Sequence, residues 1–315
     1  MITGYNGLMP TEKQLKIGVS RPPLSQPPPP RDLNIATLAK AAETLGFESF
    51  WCGDHPVDPV FRTPTEHHAL ADFESQARAT GEVMRRVAGY QDPLIGLTAA
   101  AAVTETIKLG TGIILVPERN PILLAKQIAS LDHYSNGRFL LGIGGGWNRE
   151  STTIMGGDFD HRWTQTREAV LAMKELWTKD EAEFHGRYYD FPPLTCLPHP
   201  VSKPHPPVFL GSEAKNVLKR VVDYGDGWIP YSLTPEQVRE GRATLDALAH
   251  EAGRSPQSIE LSVMVSQIDL ERQSDAIMER YLESGADRVV ILPGYNANDA
   301  DTMGNMETLA QLYLR

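Results

Sequence analysis

Residues 107–147 read IKLGTGIILVPERNPILLAKQIASLDHYSNGRFLLGIGGGW, and this stretch decides the fold. The run Ile107–Val116 is apolar and β-branched, which predicts a buried strand. An Asn-Pro pair at 120–121 then begins a helix whose apolar residues recur at helical spacing, and an Asn-Gly pair at 136–137 ends it. Arg138–Ile143 is again an apolar run that predicts a strand. The stretch therefore predicts strand, helix and strand in succession.

The same alternation continues on both sides of this stretch. Six further segments read as strands: Leu15–Val19, Glu48–Cys52, Pro207–Leu210, Gly227–Ile229, Ile259–Val265 and Asp287–Leu292. Helices are predicted to begin at Asp32 or Asn34 (ending at Gly46), Arg162, Ala214, Pro235 and Gln273, and Thr302–Leu314 forms the last. Eight strands, each followed by a helix, predict an α/β fold of the (β/α)8 TIM-barrel type. A doubly wound sheet shares this alternation and is the alternative.

Two long insertions interrupt the repeat, one after strand 2 and one before strand 5. The first, Asp54–Asp92, contains a helical-looking segment, Glu66–Val87. The second, Glu181–Pro206, is rich in proline, histidine and tyrosine, and Glu183–Tyr189 predicts a small hairpin. Insertions of this length are usually functional, so we expect lids or partner surfaces. No feature of the sequence marks a domain boundary, and residues 1–315 are expected to form a single domain.

Composition limits the classes of partner. The chain has 315 residues and a formal net charge of −10 at pH 7, without a long run of lysine or arginine. Such a chain lacks the basic surface that nucleic-acid binding needs. Met1–Pro10 lacks the features of a secretory signal, and no stretch is apolar enough to span a membrane. Two cysteines, Cys52 and Cys196, suit a reducing compartment, so we expect a soluble, cytoplasmic protein.

The carboxyl ends of the strands are where a barrel enzyme carries its catalytic residues. Asp54 and His55 follow the second strand, and a histidine there could exchange a proton near neutral pH, with Asp54 orienting it. An ordinary surface turn is the competing interpretation of this pair. The fourth strand runs into Gly144-Gly145-Gly146-Trp147, where the backbone could approach a ligand or simply turn tightly. Gly211-Ser212 precedes the helix predicted from Ala214, whose amides could bind a phosphate.

Other kinds of site have weaker support. His67 and His68 are adjacent, so a helix would point them about 100° apart, and we expect no metal site. The glycine cluster is not the Gly-x-Gly-x-x-Gly fingerprint of dinucleotide binding, because Trp147 stands where the third glycine would fall. The sequence also lacks the Gly-x-Ser-x-Gly turn of many serine hydrolases.

Several motifs at strand and helix ends follow one another along the chain. They are Phe50–His55, Lys108–Ile113, Asn120-Pro121 with Ala125–Gln127, Gly137–Phe139 with Gly142–Trp147, and Gly225–Trp228. In this order and spacing they resemble the luciferase-like monooxygenase superfamily, and most closely its coenzyme F420-dependent oxidoreductase branch. The resemblance covers most of the chain, from Leu15 to Leu292.

The resemblance implies a flavin or deazaflavin at the mouth of the barrel, and it implies roles for particular residues. His55, with Asp54, would lie against the ring as the catalytic proton donor or acceptor. Gly112-Ile113 matches the position where deazaflavin-dependent relatives carry a cis peptide bond behind the ring. The implied cofactor-binding residues are Gly112, Ile113, Gly144, Gly145, Gly146 and Trp147, with Gly211 and Ser212 near the phosphate.

The implied reaction is hydride transfer between coenzyme F420 and a small organic substrate, carried out by a homodimer. Relatives that act on sugar phosphates carry a glutamate where this chain has Trp147, so the resemblance does not supply the substrate. The nearest alternative is an FMN-dependent monooxygenase that uses reduced flavin and O2. A flavin or F420 reductase is the partner that would then supply the reduced cofactor. A non-catalytic flavin-binding protein, and a hydrolase or lyase on the same fold, are further alternatives.

Overall fold

The computed structural model describes residues 14–21, 34–57, 59, 90–273, 276–293 and 299–314, the last range without the side chains of 299–301. Its strands are β1 (Lys16–Ser20), β2 (Ser49–Cys52), β3 (Lys108–Thr111), β4 (Ile114–Leu115), β5 (Phe139–Gly144), β6 (Ala182–His185), β7 (Asp190–Leu194), β8 (Val208–Leu210), β9 (Gly227–Trp228), β10 (Glu260–Ser266) and β11 (Arg288–Leu292).

Nine of these strands form a closed parallel barrel with eight staves, because β3 and β4 share one stave. The pairing runs β1, β2, β3, β5, β8, β9, β10 and β11, and β11 pairs with β1 to complete the circle. The predicted (β/α)8 barrel is therefore confirmed, and the doubly wound alternative is wrong because an open sheet would leave two unpaired edges.

Helices cover the outside of the barrel. They are α1 (Ile35–Leu45), α2 (Pro93–Val103), α3 (Pro121–Tyr134), α4 (Arg149–Ile154), α5 (Arg162–Thr178), α6 (Val217–Tyr224), α7 (Pro235–Glu251), α8 (Gln267–Glu271), α9 (Ile277–Glu283) and α10 (Asp299–Tyr313). Their starts carry the expected caps: the Asn34 side chain accepts the amide of Thr37, and Asn120 accepts two amides of α3. None of the helices in the described ranges has the length and apolar character that a bilayer crossing requires.

Several predicted boundaries were wrong, and three of them have a clear physical cause. The strand predicted over Ile107–Val116 is broken after Thr111, whose hydroxyl both donates to the carbonyl of Gly142 and accepts its amide, at 2.8 and 2.9 Å. This side chain replaces a pair of main-chain bonds and ends the regular pairing. Helix α6 begins at Val217 rather than Ala214, because Asn216 has a left-handed backbone conformation. Helix α9 begins at Ile277 rather than Gln273, since Gln273 continues the turn that ends α8.

Two apolar clusters make up the core. The larger one lies between the barrel and its helices, and it includes Phe139 on β5 and Trp177 on α5. The smaller one fills the inside of the barrel and consists of Trp51, Leu140, Phe209, Ile229, Met264 and Val290. Leu292, the last residue of β11, and Ile113, between β3 and β4, are partly buried against this interior cluster. The barrel is thus a filled core, with an apolar surface at its carboxyl end.

Polar side chains close the opposite end of the barrel. Arg288, at the start of β11, is fully buried and binds Glu48 and Glu260, and its guanidinium lies 5.7 Å from the centre of the Trp51 ring. Because these groups lie at the amino ends of the strands, they stabilise the fold and leave the carboxyl end for chemistry.

The two insertions differ in how far the structure describes them. The second contains the predicted hairpin, formed by β6 and β7. Most of the first, including the predicted helical segment Glu66–Val87, lies outside the described residues.

Candidate active site

The site-residue predictions converge on the carboxyl end of the barrel. Gly53, after β2, lies beside Gly112, since a Cβ atom on Gly53 would lie 3.5 Å from the Gly112 carbonyl oxygen. Ile113 lies between the ends of β5 and β8: a Cβ atom on Gly144 would lie 2.2 Å from its Cδ1 atom, and one on Gly211 2.7 Å from its Cγ2 atom. These three loops therefore meet around Ile113.

His55 lies at the edge of this group between two aromatic rings. Its ring centre is 5.3 Å from that of Tyr90 and 5.7 Å from that of Trp147, which it meets edge to face. The imidazole is half-buried. Aromatic packing of this kind restricts the orientation of the imidazole. Trp147 thus links the glycine loop after β5 to the candidate proton donor.

Asp54 is buried and anchored by a cationic partner. Two N–H groups of Arg119 donate to its two carboxylate oxygens at 2.8 and 3.1 Å, and the Leu115 amide donates to it at 3.2 Å. Burial raises the pKa of Asp54, while these hydrogen bonds and the positive charge of Arg119 oppose the increase. The paired geometry is that of an ion pair, and it ties the loop that carries His55 to Arg119.

Arg119 extends this network to the start of α2. It donates to Asp92 at 3.0 Å, and Asp92 also accepts the amides of Leu94 and Ile95 as the cap of that helix. Burial disfavours the charge of Arg119, but the bonds and charges of Asp54 and Asp92 outweigh it and raise its pKa. The network joins the loop after β2 to the segment after β4. Sequence analysis did not identify Arg119 or α2.

Ile113 and the peptide bond before it form the floor of the site. The Gly112–Ile113 peptide bond is cis, as the family resemblance implies. A Cβ atom on Gly112 would approach the Cε atom of Met264, in the interior cluster, to 2.8 Å. Ile113 itself packs on this cluster. The floor is therefore apolar, and glycine backbone borders it on several sides.

Glu118 is a buried acid that sequence analysis missed. It lies in the short turn after β4, is 2% exposed, and accepts a hydrogen bond from the Thr152 hydroxyl at 3.0 Å. Its other oxygen, Oε2, is buried without a hydrogen-bond partner among the described residues. Burial raises the pKa of Glu118 to about 7, opposed by Thr152 and reinforced by the negative charge of Asp54.

Glu118 lies directly beneath the glycine loop. A Cβ atom on Gly146 would lie 3.5 Å from its Oε1 atom, and Gly146 has a φ of +82°, which favours glycine. A single glutamate at the end of an apolar run gives no motif, so only the fold could reveal this contact.

The segment after β8, where helix amides were predicted to bind a phosphate, has a different local structure from the one predicted. The Ala214 amide donates to the Ser212 hydroxyl at 2.8 Å. The Ser212 carbonyl accepts the Trp228 indole N–H at 2.9 Å, and Trp228 is buried. Gly211 borders the floor beside Ile113, whereas the helix that was expected to begin at Ala214 begins only at Val217. Within the described ranges, no three histidine, cysteine or acidic side chains are grouped so that they could hold a metal ion.

Comparison with known proteins agrees with this geometry. The family model described as luciferase-like monooxygenase matches residues 17–313. The chain belongs to the luciferase-like monooxygenase family. It is 35% identical to an uncharacterised protein of Mycobacterium tuberculosis over 277 residues, which are 86% of this chain and 91% of that protein. The chain is thus an oxidoreductase of this family.

Proteins of named activity that resemble this chain in sequence or in fold use different cofactors. The FMNH2-dependent dimethylsulfone monooxygenase of Pseudomonas putida is 29% identical over 188 residues, 57% of this chain and 50% of that enzyme. The coenzyme F420-dependent tetrahydromethanopterin reductase of Methanopyrus kandleri has the same fold, with a TM-score of 0.69 at 19% identity over 96% of this chain and 99% of that one. The chain thus has an FMNH2-dependent enzyme among its sequence relatives, and it shares its fold with an F420-dependent enzyme.

Proposed function

We propose that the protein transfers a hydride between coenzyme F420 and a small organic substrate at the carboxyl end of the barrel. The observation that carries the proposal is the position of His55, held between Tyr90 and Trp147 in the loop whose Gly53 lies beside Gly112 of the apolar floor. A proton donor or acceptor next to such a floor suits a reaction that moves a hydride and a proton together.

The described residues fit a flat heterocyclic ring. Ile113 offers an apolar contact, and Gly112, Gly144 and Gly211 keep the surrounding backbone free of side chains. When bound, the deazaflavin would supply or accept the hydride. Side chains on any of these glycines would collide with Ile113 or Met264, which explains why glycine is needed in this part of the barrel.

The protein would control the position and the proton. His55 would give a proton to the substrate when the substrate is reduced and would take one when it is oxidised. Asp54, bound to Arg119 and to the Leu115 amide, would hold the loop that carries His55 in place. Trp147 would cover one side of His55 and reduce its access to water.

An FMN-dependent monooxygenase is the second candidate. The relatives with named activities that are more similar in sequence are flavin enzymes, including the FMNH2-dependent monooxygenase at 29% identity. An enzyme of this kind would use reduced FMN to activate O2, and a separate flavin reductase would supply the reduced FMN. In that case His55 would contact the same ring but would serve a different proton transfer.

Turnover with defined substrates tests the proposal. Reduced F420 is mixed without oxygen with a panel of enones and imines, and its oxidation is followed by absorbance; alcohols are tested with oxidised F420. We expect turnover by the wild type, and a decrease of about 10²–10⁴-fold for His55→Asn with unchanged cofactor affinity. His250→Asn, on the exposed end of α7, is the matched control. Consumption of O2 with reduced FMN, without oxidation of F420, would favour the second candidate instead.

We propose further that the protein is a cytoplasmic homodimer. Ile95 on α2 and Leu123 on α3 support the dimer, because both are large apolar residues that are more than half exposed on neighbouring helices. Light scattering of the purified protein tests it, and the mass of a single chain would contradict it.

A further inference from the structure

The inward-facing positions at the carboxyl end of the barrel divide into two halves. Side chains alternate between the two faces of a strand, so the inward position at the mouth lies two residues beyond an inward-facing residue of the same strand. On the four neighbouring staves β2, β3, β5 and β8 this position is a glycine: Gly53, Gly112, Gly144 and Gly211. We call this the glycine half, and it is the part of the mouth where the proposed cofactor ring has room.

The other four staves carry side chains at the corresponding position, and we call them the side-chain half. Alternation along β9, β10, β11 and β1, counted from the interior cluster, places these four residues inward: Ser20, Tyr231, Ser266 and Leu292. None of the four is charged. A substrate that lies beside the cofactor ring would therefore meet the side-chain half.

Tyr231 is the largest and the most exposed of these four residues. It pairs with Met264 in a parallel bridge, and residues paired in this way point to the same face of a sheet. Because Met264 belongs to the interior cluster, Tyr231 also faces the barrel axis, and its exposure of 39% places it at the open mouth. The stave of β9 lies four staves from that of β2, so Tyr231 and the loop that carries His55 are on opposite sides of the mouth.

The backbone on both sides of Tyr231 is fixed by hydrogen bonds. The Ser232 amide donates to the Met264 carbonyl at 2.7 Å, and the Met264 amide donates to the Pro230 carbonyl at 2.9 Å. Ser232 has a φ of +58°, which is uncommon for a residue other than glycine, and its hydroxyl donates to Asp269 at 2.6 Å. These contacts hold the chain in a conformation that presents Tyr231 to the mouth.

The polar groups of the side-chain half have different tasks. The Ser266 hydroxyl donates to the Asp269 carboxylate at 2.7 Å and accepts the Asp269 amide at 3.1 Å, and the Ser20 hydroxyl donates to the Trp51 carbonyl at 3.3 Å. Both serine hydroxyls thus stabilise the fold. Tyr231, by contrast, carries its hydroxyl on a ring that borders the mouth. A ligand in the side-chain half would meet an aromatic ring with a hydroxyl group and no charged side chain.

We propose that Tyr231 binds the substrate and selects a neutral, planar carbonyl compound, of which a cyclic enone is the simplest example. This inference rests on the proposed function. An aromatic ring packs well on a planar unsaturated ligand, and the hydroxyl of Tyr231 would donate a hydrogen bond to the carbonyl oxygen. The neutral side-chain half favours a substrate without a charge, because a charged group there would lose its hydration without gaining a partner.

The two sides of the mouth would then act on one substrate. The alkene carbon farther from the carbonyl takes the hydride of the reduced cofactor, and the carbon next to the carbonyl takes a proton from His55. The C=C bond becomes a single bond, and the cofactor is oxidised. Solvent replaces the proton of His55 and receives the proton that the oxidised cofactor releases.

Turnover of cyclohex-2-enone with reduced F420, measured without oxygen, tests the role of Tyr231. Tyr231→Phe, which keeps the ring and removes the hydroxyl, should lower kcat/KM about three- to tenfold. Tyr231→Leu, which also removes the ring, should lower it about ten- to hundredfold. Neither change should alter the affinity for F420. The matched controls are Tyr134→Phe and Tyr134→Leu at the exposed end of α3, and their kcat/KM should equal that of the wild type. An unchanged kcat/KM in Tyr231→Leu would overturn the inference.

Binding measured without turnover separates this inference from the proposed function. Saturation-transfer difference NMR detects cyclohex-2-enone on the protein without cofactor and on the protein with oxidised F420, which cannot give a hydride. Transfer that Tyr231→Leu abolishes and Tyr134→Leu retains would support the inference. Absence of transfer with the wild type, or equal transfer with Tyr231→Leu, would overturn it. If F420 does not bind, the proposed function fails, and the measurement without cofactor still decides the inference.

A charged analogue tests the choice of a neutral substrate. In the same NMR titration, 4-oxocyclohex-2-ene-1-carboxylate should bind the wild type about tenfold or more weakly than cyclohex-2-enone, because the side-chain half offers its carboxylate no partner. Equal or tighter binding of the carboxylate would overturn this part of the inference.

Discussion

Replacing Glu118 with glutamine should change how the stability of the protein depends on pH. Burial raises the pKa of Glu118 from 4.5 to about 7. Between these values the folded protein binds more protons than the unfolded chain, so the free energy of unfolding falls as the pH rises. This part of the stability is fully present below the unfolded pKa and is lost as the pH rises through the folded one.

The size of the effect follows from the pKa difference. A difference of about 2.5 pH units corresponds to about 3.4 kcal/mol in all, and the window from pH 5 to pH 8 covers about 2–3 kcal/mol of it. In Glu118→Gln the amide oxygen can still accept the bond from the Thr152 hydroxyl, but the side chain cannot ionise. The unfolding free energy of the variant minus that of the wild type should therefore increase by about 2–3 kcal/mol from about pH 5 to pH 8.

Urea unfolding followed by tryptophan fluorescence measures this difference at each pH. Glu105→Gln is the control, because Glu105 is exposed at the opposite end of the barrel, just before β3. Its stability should follow that of the wild type at every pH. A difference between Glu118→Gln and the wild type that stays constant across the range would refute the reasoning, since Glu118 would then ionise equally well in both states.

Two further substitutions test the packing around the barrel ends. Arg138 is 8% exposed and donates to carbonyl and hydroxyl oxygens between α2 and β5. Arg138→Met should therefore lower the free energy of unfolding by about 3–5 kcal/mol, and a loss below about 1 kcal/mol would contradict this. The control, Arg239→Met on the exposed face of α7, should have little effect. Gly144→Ala should weaken cofactor binding about tenfold or more, because the new Cβ atom would displace Ile113. The control, Gly304→Ala, has open space around it and should leave binding unchanged. Equal cofactor affinities of Gly144→Ala and the wild type in fluorescence titrations would show that this contact is not part of the site.

The barrel could be predicted because its evidence is local and repeated. Alternating apolar strands and capped helices at known spacing identify each unit; the cap at Asn120 was correct, and of the two predicted starts of α1 the structure has Asn34. Helix α2 was missed although Asp92 and Pro93 mark its start, since the run that follows is almost uniformly apolar and shows no helical periodicity. The break after Thr111 was missed because a hydroxyl that pairs with the neighbouring strand leaves no pattern in an apolar run.

The site was predicted in part for the same reason. His55, Ile113 and the glycines lie at strand ends, and strand ends meet at the mouth of a barrel. Glu118 could not be identified from the sequence, because the groups that surround it, the Thr152 hydroxyl of α4 and the glycine loop, are distant in the chain.

The most direct test of the central claim is titration of the purified protein with coenzyme F420 and with FMN, each oxidised and reduced, followed by fluorescence. The account predicts selective, saturable binding of F420 that Gly144→Ala weakens and Gly304→Ala does not. Selective binding of reduced FMN would replace F420 with the second candidate. Failure of both cofactors to bind would contradict the claim that the carboxyl end of this barrel is a flavin or deazaflavin site.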